Sequence, residues 1–150
     1  MSKFNFDRVL TNFKQLEQEL PKELANTTQK FFNNAFRQQG WDGKTWQTPQ
    51  RRIPGTNAYK YPKSKGLGRR TRATLVKSGA LRRAVATSLR VATFKKVRFE
   101  VDLPYAKVHN EGLQVRNFKM PERKFMGDSP TLRKLQLNVI KKVTNTIWRA

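Results

Sequence analysis

His109 is the one imidazole in the chain, and Glu111 is the only acid close to it in sequence. A hydrolytic triad would have to be built around His109 as its general base. A lone histidine in a short aromatic-rich segment is far more often a hydrogen-bonded packing residue. A metal centre fares no better, because zinc sites combine several His, Cys or carboxylate ligands at short spacing, and this chain has no cysteine. Paired carboxylates are the usual sign of acid–base chemistry. The ten acids here are scattered, and five of them lie in the first 42 residues, where Glu17, Glu19 and Glu23 read as a solvated helix face. Asp102, Glu111, Glu122 and Asp128 lack the spacing that holds a nuclease metal. Gly66-Leu67-Gly68-Arg69-Arg70 carries glycines and cations but matches neither a P-loop nor a dinucleotide fingerprint. The expectation is a protein that is not an enzyme, with no catalytic residue, no metal and no cofactor.

Charge remains. With 32 Lys and Arg against 10 Asp and Glu, the chain carries a formal +22, which opposes compaction and attracts polyanions. The excess is local: residues 51–100 hold 15 Lys or Arg and one acid, Glu100. Between Gly40 and about Leu75, Arg51, Arg52, Lys60, Lys63, Lys65, Arg69, Arg70 and Arg72 alternate with Trp46, Tyr59 and Tyr61. They are the candidate contacts to DNA or to an acidic protein partner. No helix-turn-helix, zinc finger or RNA-recognition signature accompanies them, so contact with nucleic acid would be to phosphates and indifferent to sequence.

An aromatic content of 11% and 37% apolar residues argue that part of the chain folds around a core. The expected organisation is one domain over 1–150, with an extended basic arm or loop over 40–75. Phe6, Val9, Leu10, Phe13, Leu16 and Leu20 follow helical spacing after a capping Asn5. The pattern resumes beyond Pro21 through Phe36 to a stop at Gly40, giving two helices or one kinked helix. Ser78 can cap a short helix that buries Leu81 and Val85. Thr87 to Leu103 alternates as a hairpin. A short helix over 105–112, a third strand over 113–119 and a terminal helix from Pro130 to about Trp148 complete an α+β fold: N-terminal helices, a small antiparallel sheet of three or four strands, and a C-terminal helix packed on it. No apolar run reaches the length of a membrane span and no secretory leader is apparent, so residence in a cytoplasm is the default expectation.

Three short motifs occur in order: Leu75-Val76-Lys77-Ser78-Gly79-Ala80-Leu81, Tyr105-Ala106-Lys107-Val108-His109-Asn110-Glu111-Gly112, and Met120-Pro121-Glu122-Arg123-Lys124-Phe125-Met126-Gly127-Asp128-Ser129. Together they resemble the tailed-phage virion morphogenesis family, which includes Mu G-like tail-completion and neck proteins. Lys124 stands where that family often has proline. The resemblance marks Ser78, Gly79, Leu81, Tyr105, Ala106, His109, Gly112, Pro121, Arg123, Phe125 and Gly127 as structural family positions. It implies a virion protein of the neck or tail, made in the host cytoplasm, that assembles as a homo-oligomeric ring. Its implied partners are the head connector and the tail terminator or tail tube. A sequence-nonspecific nucleic-acid-binding virion protein is the alternative, with nonspecific DNA contact compatible with either reading.

Overall fold

Asn5 begins the first helix in the computed structural model, which describes residues 5–61 and 68–149. Its side-chain oxygen accepts the backbone N–H of Arg8 at 3.0 Å, satisfying a donor that the helix cannot. Helix α1 then runs as one element over Phe6–Gln38. Pro21 lies inside it and is buried. It removes one backbone hydrogen bond without dividing the helix, so of the two readings, two helices or one, the single helix is the one formed.

The helix also ends differently from expectation. Gln39, not a glycine, takes the left-handed conformation with φ 52°. Its side chain holds that strained turn by donating to the Phe36 carbonyl at 2.8 Å and accepting the N–H of Thr74. Gly40 is needed for a different reason: a Cβ there would lie 2.4 Å from the carbonyl oxygen of Lys44.

The chain divides into two compact units. The first contains the described residues up to Phe31, Ser88–Glu100, and those from Asp128 onward. Strands β3 (Leu89–Thr93) and β4 (Lys96–Phe99) pair antiparallel, with a register shift between Leu89 and Val91. The Thr93 hydroxyl accepts the Lys96 N–H and so closes the turn. Helix α6 (Pro130–Arg149) starts as its sequence implies, with Pro130 at the first position and the Ser129 hydroxyl accepting the Leu132 N–H at 3.0 Å. Ala25, Leu132, Val143 and Ile147 are buried. Gln136 donates to the Thr28 hydroxyl at 3.1 Å, joining α6 to α1.

The second unit spans Phe32–Thr87 and Val101–Gly127. Its core holds Phe32, Ala35 and Phe36 from the end of α1, with Trp46, Leu81, Val85, Ala106 and Phe125. Phe36 meets Trp46 edge-on at 5.7 Å between ring centroids and Phe125 at 5.5 Å. Around this core stand strands β1 (Gly40–Trp41) and β2 (Lys44–Thr45), a 3₁₀ turn at Gln50–Arg52, and helices α2 (Asn57–Lys60), α3 (Gly68–Thr71), α4 (Ala80–Ala86) and α5 (Pro104–Glu111). Strands β5 (Gln114–Val115) and β6 (Phe118–Lys119) form the last hairpin.

The α+β class holds, with the strands distributed over three separate antiparallel pairs among the described residues. The expected third strand, 113–119, folds back on itself through Arg116 at φ 51° instead of joining its predecessor. Described residues of the basic arm form short helices and turns held by hydrogen bonds.

Gly112 ends α5 at φ 65°, and a Cβ there would meet the backbone nitrogen of Glu122 at 2.8 Å. Gly43 also has positive φ, but its missing side chain faces open space. Gly112→Ala is therefore expected to lower the unfolding free energy by about 2–4 kcal/mol, and Gly43→Ala by about 1–2 kcal/mol. Urea unfolding of the two variants beside the parent chain measures the difference.

A cation-lined pocket as the candidate functional site

Helix α5 is the point at which the three sequence motifs meet. Leu103 precedes it, Pro104 occupies its first turn and Gly112 closes it in the left-handed conformation. In the last turn, the Asn110 side-chain oxygen accepts the N–H groups of Phe125 and Met126 at 2.9 and 3.1 Å. Its amide donates to the Met126 carbonyl at 3.1 Å. One residue earlier, the His109 carbonyl accepts the Arg123 N–H at 2.7 Å. The segment Pro121–Gly127 is thereby clasped to the end of α5, and Phe125 enters the core with 1% of its surface exposed. Gly127 turns the chain at φ 129°, and Ala106 is buried on the inner side of α5.

Arg123 is buried, donating from Nη2 to the Gln47 carbonyl at 3.3 Å, while its Nε has no acceptor among the described residues. Burial lowers its pKa from the ordinary arginine value. Gly79, at φ 73°, is the residue that caps α4, rather than Ser78. The Ser78 hydroxyl accepts the Ala80 N–H at 3.4 Å, and α4 buries Leu81 and Val85 as its spacing implied.

The first and second motifs enclose a pocket of about 330 Å³ with the arm. Arg51 and Arg72 enter from the arm, Lys77, Ser78 and Leu81 from the turn into α4, and Tyr105 and His109 from α5. No carboxylate lines it among the described residues. Arg51 donates from Nε to the Arg69 carbonyl at 3.0 Å and from Nη2 to the Arg72 carbonyl at 2.9 Å. Arg52 donates likewise to the carbonyls of Arg70 and Thr71 at 2.9 and 3.0 Å. Both guanidinium groups thus close the C-terminal end of α3, whose carbonyls have no helical donor.

Hydrogen bonds to carbonyls satisfy these donors without neutralising their charge. Burial lowers the Arg51 pKa, and the guanidinium groups of Arg72, Arg52, Arg123 and Arg69 lower it further. His109 is pushed below the ordinary imidazole value, first by burial and then by Arg123. Its Nδ1 is buried without a partner among the described residues, and its ring stands edge-on to Tyr105 at 6.2 Å.

The other arm positions differ in kind. Arg70 lies over the Tyr59 ring at 4.0 Å, a cation–π contact that occupies one of the anticipated stacking rings. Arg69 has Nη1 buried with no acceptor among the described residues. Lys60 is exposed on α2, whereas Lys63 and Lys65 lie outside the described residues. Trp46, read from sequence as a stackable ring of the arm, is a core residue whose indole donates to the Lys124 carbonyl at 2.8 Å. Asn110 and Gln39 were not singled out by the sequence. The signal for Asn110 is an amide side chain in the last helical turn before glycine, placed to bind a returning strand of backbone.

The motif residues therefore hold turns, helix ends and a core together, as a scaffold for assembly would require. The sequence profile of the phage virion morphogenesis family matches residues 5–144, and the chain belongs to that family. Its role is that of a structural protein of phage virion assembly, associated with the virion. No curated protein and no solved structure matches the chain. Among the described residues, no group of three or more His, Cys, Asp or Glu could hold a metal ion, and no helix is long and apolar enough to cross a membrane.

Asn110→Ala removes three hydrogen bonds at the clasp and is expected to destabilise the fold by about 2–4 kcal/mol, read by urea unfolding. His109 gives a second test. An unfolded chain takes up a proton near pH 6.5, while the folded chain resists it because its His109 pKa is lowered. Stability is then full above that pH and falls as the pH drops through the unfolded value toward the folded one. His109 is the sequence's only histidine, so His109→Gln should flatten the loss between about pH 7 and pH 5 in thermal melts.

Proposed function

We propose that this chain is a neck or tail-completion protein that acts without catalysis, joining the phage head to the tail as a homo-oligomeric ring. The observation that carries the reading is the apolar surface of the first unit. Phe6, Leu10 and Phe13 on α1, Phe94 at the β3–β4 turn, and Leu135, Leu137, Ile140 and Trp148 on α6 are all exposed, Phe6 to 63% and Leu137 to 55%. Phe13 and Phe94 meet edge-on at 6.0 Å, so part of this surface is already one aromatic cluster.

Burying such residues against a second copy removes apolar area from water, at about 25 cal/mol per Å². Copies arranged head to tail about a closed axis form a ring. The head connector and the tail terminator or tail tube would then meet opposite faces of that ring, in the neck of the virion, after synthesis in the host cytoplasm. The exposed cations, including Lys60 on α2, favour a second reading as a nonspecific nucleic-acid contact within the particle. Such binding would fall steeply with salt and ignore base sequence.

Light scattering coupled to size exclusion, with the chain alone and mixed with connector and tail-terminator proteins, tests the leading reading. A multiple of the 17.5 kDa chain mass is expected. Leu10→Asp and Leu137→Asp should shift that mass toward the monomer while leaving urea unfolding of the monomer within about 1 kcal/mol. A strict monomer in every mixture would overturn the ring.

A further inference from the structure

We infer that the pocket between the arm, the α4 turn and α5 is a socket for the carboxylate of an acidic, apolar-flanked peptide segment of a virion partner. The inference rests on the reading of this chain as an assembly protein but not on ring formation. Three observations carry it.

The first is uncompensated charge. Arg51, Arg72 and Lys77 line the pocket, and the charges that lower the Arg51 pKa, after burial, are other guanidinium groups. Ion pairs do form elsewhere in the chain, at Arg98–Glu100 and Arg133–Asp128, so the scarcity of acids is not absolute. Among the described residues that line the pocket there is no acid.

The second is fixed geometry. Arg51 is anchored through Nε and Nη2 to carbonyls, leaving Nη1 as a donor to an incoming oxygen. A guanidinium already held in place loses little freedom when a carboxylate binds. Arg72, half-buried on the same wall, supplies a second guanidinium. The Ser78 hydroxyl accepts from Ala80 N–H and keeps its own O–H to donate.

The third is shape and polarity. At about 330 Å³ the space lies at the small end of ligand pockets, and Ala73, Leu75, Val76 and Leu81 supply apolar wall. A peptide side chain or chain end can place its carboxylate on the arginines and its apolar neighbours on that wall. Duplex phosphates lie on a broad convex rod and would reach the rim cations alone. A second copy of this chain is a poorer source of the carboxylate, since it holds 10 Asp and Glu against 32 Lys and Arg.

The test is fluorescence polarisation of a labelled, end-blocked Leu-Glu-Glu-Leu peptide against the full chain at physiological salt. Its Leu-Gln-Gln-Leu counterpart and a random-sequence DNA duplex serve as comparison probes. The glutamate peptide should bind at least about tenfold more tightly than the glutamine peptide, and Arg72→Gln with Lys77→Gln should weaken it by about tenfold or more. Lys134→Gln with Lys141→Gln removes the same charge from exposed positions on α6 and should change it by less than about threefold. Equal binding of the two peptides, or equal losses in the two double variants, overturns the socket. DNA binding that falls tenfold in the pocket variant alone also overturns it, in favour of phosphate as the occupant. None of these outcomes alters the particle mass on which the ring reading depends, so the two can fail separately.

Discussion

Asn110 carries more of the second unit than its size suggests. One short amide accepts two backbone N–H groups and donates to a carbonyl, all from Phe125 and Met126. Because the same turn delivers Phe125 to Phe36 and presents the Lys124 carbonyl to Trp46, the clasp fixes three parts of the core. Gly112 makes it possible by leaving no Cβ to collide with Glu122. The fold is thus held by a polar contact that positions apolar ones.

Positive charge is handled in an unusual way for so basic a chain. Arg51 and Arg52 turn inward to helix-end carbonyls, Arg70 covers a tyrosine ring and Arg123 is buried beneath the Gln47 carbonyl. Dipoles and ring faces take the place of carboxylates. Each contact meets the donor's geometry but leaves its charge in the field. The basic arm is therefore both an internal brace and a source of potential, whereas composition alone distinguishes neither role.

Where a structure depends on neighbours in sequence, the sequence was legible. Asn5 and Ser129-Pro130 announce helix starts, Val97 and Phe99 alternate as strand residues, and Gly112 closes a helix whose spacing is plain. The structural family positions likewise fall together in one unit. What escaped depends on distant partners. Trp46 becomes core because the Lys124 carbonyl, 78 residues away, accepts its indole N–H. The strands stop at two-stranded pairs because runs as short as Gln114–Val115 and Phe118–Lys119 turn back before another strand can join. Arg51 and Arg52 were legible as cations, but their acceptors lie 18 to 22 residues along the chain. No local pattern records that pairing.

The placement of the indoles has an optical consequence. Trp46 is almost fully enclosed in the second unit, between Phe36 and the Lys124 carbonyl, whereas Trp148 belongs to the first unit and is 41% exposed. Emission from the first should be blue-shifted and shielded from soluble quenchers, and emission from the second red-shifted and open to them. With the third indole, Trp41, half-buried beside Phe32 in the second unit, replaced by phenylalanine, each half of the molecule carries one reporter, so that loosening of the core and occlusion of the apolar surface can be followed as two colours in one spectrum.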